Sequence, residues 1–292
     1  VLAASAVVSA TVGAIGAGPS FGAASPDTGA ARDVIGNVDV TDYDITMNYQ
    51  PDTRTLRGVT VVHATATAAL DGLTLDLTGP TVRSVTVNSA PAKSFTQTGK
   101  DVLAIVPATA IARGARFDVR VNYDGTPGAG WLATASGGAS AFEGHASAWF
   151  PANEDAHDKA DLHLTATVPD GWSVVSIGQE GPIQHDSTTT TFRWAEPDVD
   201  PAFTAVSIDH FTIEHSTLPD GIPVVNAYAP GLGATTKPLA DQLPEILGFL
   251  SGKFGPYPST RPATCSSTWT TTGREPHRRP GRCTSAPATP GT

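Results

Sequence analysis

Between Phe142 and Pro169 the chain carries its densest set of residues able to do chemistry: Glu143, Glu154, Asp155, His157, Asp158 and His163. Carboxylates and imidazoles in one short stretch can hold a metal ion or move protons. The spacing argues against a metal. His157 and His163 are separated by five residues, which is not a standard ligand spacing, and three acids beside Lys159 also make an ordinary solvated turn. Other candidates fail on context. Ser140 sits in Gly-Gly-Ala-Ser-Ala, which is not the Gly-x-Ser-x-Gly turn of a serine nucleophile. Gly231-x-Gly233 precedes a helical pattern but lacks the rest of a phosphate-cradling loop. His63 and His145 have no aspartate that the sequence assigns to them, so both read as surface or packing residues. No catalytic residue and no metal ligand is assigned from these patterns.

The elements that must position this stretch are strands. From Ala160 to Val168, Leu162, Leu164, Ala166 and Val168 alternate with Asp161, His163, Thr165 and Thr167, the period of a half-buried strand. Trp149-Phe150-Pro151 is an aromatic pair stopped by proline. Upstream, Tyr43, Ile45, Met47 and Tyr49 alternate with Asp42, Asp44, Thr46 and Asn48. Strand patterns follow at 56–69, 73–77, 81–87, 102–106 and 115–123. A glycine-rich loop is expected at 125–139. Further strand patterns lie at 172–177, 189–194, 202–208, 211–216 and 224–228. Turn-type separators such as Asp71-Gly72 and Gly79-Pro80 punctuate them. Many short strands at regular spacing predict an all-β fold, an antiparallel sandwich over residues 38–230.

The ends differ from this body. Residues 1–24 are small and apolar, as in a signal peptide, and 25–37 read as a polar linker. Leu239, Leu243, Ile246, Leu247 and Leu250 recur at helical spacing, so one C-terminal helix is expected within 236–258, starting or kinking at Pro244. Residues 259–292 contain no Val, Ile, Leu, Met, Phe or Tyr, and a disordered tail is expected there. Arg, Pro, Ser and Thr without aliphatics also read like a coding region translated out of frame; a genuine flexible tail is the alternative.

Totals narrow the class. The chain has 292 residues, 40% hydrophobic and 16% charged, with 29 Gly, 24 Pro and a net charge of −10. That acidic balance excludes a nucleic-acid binder, which needs a basic face. Both cysteines, Cys265 and Cys283, lie in the tail, so no disulfide staples the body. The leader predicts export, to a secreted or cell-envelope location, with no stable membrane insertion once it is cleaved.

Several of these stretches resemble the N-terminal domain of aminopeptidase-N-like zinc metallopeptidases. In that family an aromatic-Pro-Cys-x-Asp-x-Pro-x-x-Lys-Ala run precedes a strand ending in Val-Pro. Here Pro151, Lys159 and Ala160 match, while Ala152, Glu154 and Ala156 replace the family's Cys, Asp and second Pro. Asp42-Tyr43-Asp44, Leu56-Arg57-Gly58-Val59, Leu75-Asp76-Leu77, Val82 to Asn88 and Phe192-Arg193-Trp194 follow the family's order over residues 38 to about 216. Phe254-Gly255-Pro256-Tyr257-Pro258 after a helix resembles the opening of the family's catalytic domain. The resemblance implies a saddle-like N-terminal sandwich, a peptide substrate and zinc in the intact protein. It also implies that Glu143 binds the peptide's N-terminal ammonium, although its spacing to Pro151 is one residue short; a solvated loop glutamate is the other reading.

The machinery itself is missing from these residues. No His is followed by Glu, so there is no His-Glu-x-x-His, and the only Met, Met47, is not in a Gly-x-Met-Glu-Asn strand. The chain is therefore expected to bind no catalytic zinc and to be inactive alone. The rival expectation is a secreted, non-catalytic β-sandwich that binds glycan or protein, with Trp131, Trp149 and Trp172 as its exposed platform.

Overall fold

In the computed structural model, residues 37–98, 102–155, 158–218 and 221–255 are described, with the backbone of 263–267 and 282–284. The signal-like segment, all of the linker but Asn37, and most of the tail lie outside the described residues.

The period-two pattern of the sequence becomes a nine-stranded sheet. Its central strands are β1 (Val38–Gln50), β2 (Thr55–Ala66), β8 (Arg116–Gly125) and β4 (Thr81–Val87) on one side, ending in β5 (Ala90–Pro91). On the other side of β1 stand β11 (Ala160–Pro169), β15 (Thr189–Val199) and the short β13 (Gln179–Glu180) and β14 (Gln184–His185). Neighbours pair antiparallel, except that β1 and β11 run parallel. More than a hundred residues separate that pair along the chain, a crossover that strand periodicity cannot reveal. Asn88 and Ser89, both with positive φ, form the two-residue hairpin between β4 and β5.

Three smaller sheets accompany it. One is β3 (Leu73–Asp76), β7 (Val102–Val106) and β6 (Ser94–Thr98). A second runs β12 (Ser173–Ser176), β16 (Val206–Asp209), β10 (Ala139–Ala141) and β9 (Trp131–Ala133). The third runs β17 (Thr212–Thr217), β18 (Pro223–Tyr228), β19 (Ala263–Ser267) and β20 (Arg282–Thr284). The glycine-rich loop thus contains a strand, β9. The 202–208 pattern divides into a short 3-10 turn at Pro201–Phe203 and β16. Asp200 caps that turn by accepting the Ala202 N–H at 2.9 Å, which takes those residues out of the strand.

Alternation decides the core. Tyr43, Ile45, Met47 and Tyr49 of β1 are buried with Leu162, Leu164, Ala166 and Val168 of β11, while their odd-face neighbours reach the surface. Leu75, Leu103 and Ile105 of the three-stranded sheet join the same core, as do Val174, Val206 and Ile208 of the second sheet. Two layers sharing one apolar interior is the sandwich arrangement.

The C-terminal helical segment is divided in two: Gly233–Ala240, then Leu243–Phe254 with Pro244 in its first turn. Proline is tolerated there because the first-turn N–H has no partner within the helix. Leu243 packs with Leu218, Ile222 and Val224. Phe249 and Phe254 are 64% and 82% exposed.

Candidate functional site

Residues 147–153 run between the β3 edge of the three-stranded sheet and β1 of the large sheet, and β11 then joins the large sheet. Asp76 N–H donates to Ala152 O at 2.7 Å, and Ala152 N–H returns to Asp76 O at 3.0 Å. Thr78 N–H donates to Ser147 O at 2.7 Å. Trp149 and Phe150 are wholly buried, their rings in edge contact at 4.5 Å. Phe150 meets Tyr43 of β1 at 5.6 Å, and Trp149 lies beside Trp131, which packs on Tyr49. This aromatic chain joins the stretch to the face of β1, and the Tyr43 hydroxyl accepts the Asn153 N–H at 2.8 Å.

That packing assigns the charged turn. Glu154 Oε1 accepts the Ser147 N–H at 2.8 Å. The Asp158 carboxylate accepts the Val40 N–H, at 3.0 and 3.2 Å from its two oxygens, and is bonded to the Asn153 amide. Burial pushes the Asp158 carboxyl up to about 6, against the hydrogen bonds from Asn153 and Val40. These carboxylates serve backbone N–H groups; they do not converge on a common point. His157 lies outside the described residues.

Glu143 is half-buried in the turn between β10 and the 3-10 turn at Ala146–Ala148. Gly144 follows with φ +81° and donates its N–H to Ala202 O at 2.5 Å, a conformation that suits glycine. Beside it, a Cβ on Gly130 would lie 2.3 Å from the His145 ring, so the neighbouring loop approaches closely.

The other sequence candidates separate. Gly231 and Gly233 line a cavity of about 380 Å³ with Glu214, Tyr228, Lys237 and Asp241. Lys237 Nζ is bonded to Glu214 at 2.7 Å and to Asp241 at 3.0 Å, and these bonds hold it above its ordinary range. Its charge is already answered by two carboxylates, which does not suit a phosphate. Ser140 is buried and shares a 2.7 Å hydrogen bond with Ser207, so it is packed against a strand and not presented as a nucleophile. The proposed aromatic platform is corrected: Trp149 is 0% exposed, Trp131 is packed against the core, and Trp172 leans on His210 at 3.9 Å. A wholly buried ring cannot receive a sugar face.

One grouping has no counterpart in the linear sequence. Asp42 and Asp44 of β1 meet His163 of β11 and His63 of β2 on the outer face of the large sheet. The sequence shows each on the polar face of its strand; only the β1–β11 register brings them together. Burial pushes the Asp42 carboxyl up, opposed by the adjacent His163 and reinforced by Asp44.

No protein-family model and no curated protein matches the chain. Solved structures do. The M1 zinc metallopeptidase from Deinococcus radiodurans aligns with a TM-score of 0.70 at 22% identity, covering 78% of this chain and 56% of that one. A two-domain M1 zinc metallopeptidase mutant bound to L-arginine gives the same TM-score, identity and coverage. A mutant of the Deinococcus enzyme bound to a Tyr-Ser-Ala substrate gives 0.68 at 22% identity. The chain shares its fold with M1 zinc metallopeptidases. It spans only 56% of the length of those structures. The residues present do not fit the zinc site that this fold implies, since no His-Glu-x-x-His occurs in the sequence and the charged turn is occupied with backbone N–H groups. Among the described residues, no helix is long and apolar enough to cross a membrane.

Proposed function

We propose that this chain is the non-catalytic N-terminal β-sandwich of an exported zinc aminopeptidase, and that it does not hydrolyse peptides by itself. The observation that carries this reading is the fold match over 78% of the chain to M1 zinc metallopeptidases, at a TM-score of 0.70. The order of the sequence motifs from Asp42 to Trp194 supports it independently. In this reading the sandwich packs against a zinc-binding domain and supplies one wall of its cleft. Glu143, in the turn beside the aromatic cluster, reaches toward the substrate's N-terminal ammonium. A carboxylate at that position selects for a free amino group by charge-assisted hydrogen bonding. In the intact enzyme, zinc supplies a Lewis acid and an activated water. Export rests on the apolar run at 1–17.

The exposed apolar side of the second helix fits the same reading, because Phe249 and Phe254 are left for a neighbouring domain to cover. The deciding experiment is sequencing of the gene across the codons for Phe254 to Arg261, with translation of every frame downstream. A frame that continues into Gly-x-Met-Glu-Asn and His-Glu-x-x-His is expected. If no frame does, the reading fails. The purified chain should also release no p-nitroaniline from aminoacyl-p-nitroanilides; release abolished by a chelator and restored by zinc would overturn its inactivity.

A further inference from the structure

The outer face of the large sheet carries a mixed cluster of imidazoles and carboxylates. Period two places Asp42 and Asp44 on one side of β1. The antiparallel ladder sets Asp42 opposite His63 of β2, and the parallel ladder sets Asp44 opposite His163 of β11. His163 Nδ1 lies 3.4 Å from Asp42 Oδ1 and 3.5 Å from Asp44 Oδ1, and His63 Nε2 lies 3.3 Å from Asp44 Oδ2. Four donors bound tetrahedrally at about 2.0–2.1 Å stand roughly 3.4 Å apart. The two contacts of His163 are close to that edge length, and His63 meets Asp44 through the other carboxylate oxygen. The Asp42, Asp44 and His163 donors lie within 4.8 Å of one another, and His63, bonded to Asp44, has to swing toward them to complete the set. Asp42 Oδ1 is excluded from solvent, and the polar group it faces is His163 Nδ1.

We propose that Asp42, Asp44 and His163, with His63 as the fourth donor, bind one divalent transition-metal ion on the outer face of the sheet. Two imidazole nitrogens and two carboxylate oxygens suit Zn²⁺ or Co²⁺; calcium and magnesium take all-oxygen shells. The donors stand on three hydrogen-bonded strands, so the backbone positions are set before metal arrives. The ion neutralises two acids that share one face and ties β2, β1 and β11 together. The proposal does not depend on the peptidase reading.

The test is calorimetric titration of the untagged, chelator-treated chain with ZnCl₂. One ion per chain, with a Kd below about 100 µM, is expected. Co²⁺ in its place should give the visible absorption of a tetrahedral nitrogen–oxygen site. His163→Ala and Asp44→Asn should each weaken Zn²⁺ binding at least tenfold, while His185→Ala, remote from the cluster, should not change it. His163 and Asp44 have side chains 51% and 55% exposed, so these variants should fold, and circular dichroism verifies it. Zn²⁺ should raise the unfolding midpoint of the parent chain and leave that of His163→Ala unmoved. The proposal is overturned if no saturable binding occurs below that limit, or if binding survives the combined His163→Ala, Asp44→Asn variant.

Discussion

Replacing Gly58 by alanine tests the central packing of the sandwich. Gly58 lies in β2 with Met47 of β1 on one side and Tyr123 of β8 on the other. A Cβ built there lies 2.2 Å from Tyr123 Cζ and 2.5 Å from its hydroxyl oxygen. Carbon atoms in good contact stand about 3.5–4.0 Å apart, so the tyrosine ring must move by more than an ångström. Tyr123 is 2% exposed and shares a 3.0 Å hydrogen bond with Thr60, so it has no vacant space to enter. Overpacking of this kind costs about 1–3 kcal/mol, and loss of the buried hydrogen bond adds about 1 kcal/mol. Gly58→Ala should therefore destabilise the chain by about 2–4 kcal/mol, a fall in unfolding midpoint of roughly 5–15 °C. The assay is urea unfolding followed by tryptophan fluorescence, in the parent and in a Tyr123→Leu background. Leucine lacks the outer half of the ring, so the same substitution should cost less than about 1 kcal/mol there. A cost below about 0.5 kcal/mol in the parent, or an equal cost in both backgrounds, would refute the reasoning.

Two further outcomes follow from the packing. The Asp158 carboxyl has a folded pKa of about 6 against an ordinary 3.8, so the folded state takes up its proton first. Its contribution to stability is fully present below pH about 4 and is lost as pH rises through about 6. The stability difference between the parent and Asp158→Asn, measured by urea unfolding at pH 4, 5, 6 and 7, should therefore change most between pH 4 and 6; a flat difference would contradict the assignment. On the second helix, Leu243→Ala should cost about 2–3 kcal/mol, because Leu243 is 8% exposed and packs with Leu218, Ile222 and Val224. Phe249→Ser and Phe254→Ser should change stability by less than about 0.5 kcal/mol and reduce self-association in size-exclusion chromatography. Equal costs at all three positions would contradict the one-sided burial of that helix.

Gly58 also shows how far motif order carries. As one letter in Leu56-Arg57-Gly58-Val59 it is a weak pattern, and in the structure it is the space that the Tyr123 ring fills. Trp149 shows the converse. Its sequence neighbourhood fits an exposed platform or a buried anchor equally well, and contacts with Phe150 and Trp131 decide for the anchor. Glu143 was legible as a candidate only through its place before the aromatic-proline pair. The structure places it half-buried in the turn after β10. The 3-10 turn at Pro201–Phe203 escaped the strand pattern because a cap residue, Asp200, overrides the local alternation.

What the sequence determined by itself is local and periodic. Alternation in β1 and β11 set which side chains are buried, because successive Cβ atoms of a strand point to opposite faces. Pro244 set where the second helix begins. What only the tertiary structure decided is which strand lies beside which. The parallel pairing of β1 with β11 brings Asp44 to His163 across more than a hundred residues of chain. The hydrogen bonds of a sheet join backbone groups that are alike at every position, so no side-chain pattern names the neighbouring strand. The neighbour is chosen by the burial of the whole interior at once, and the cluster of Asp42, Asp44 and His163 exists as a consequence of that choice.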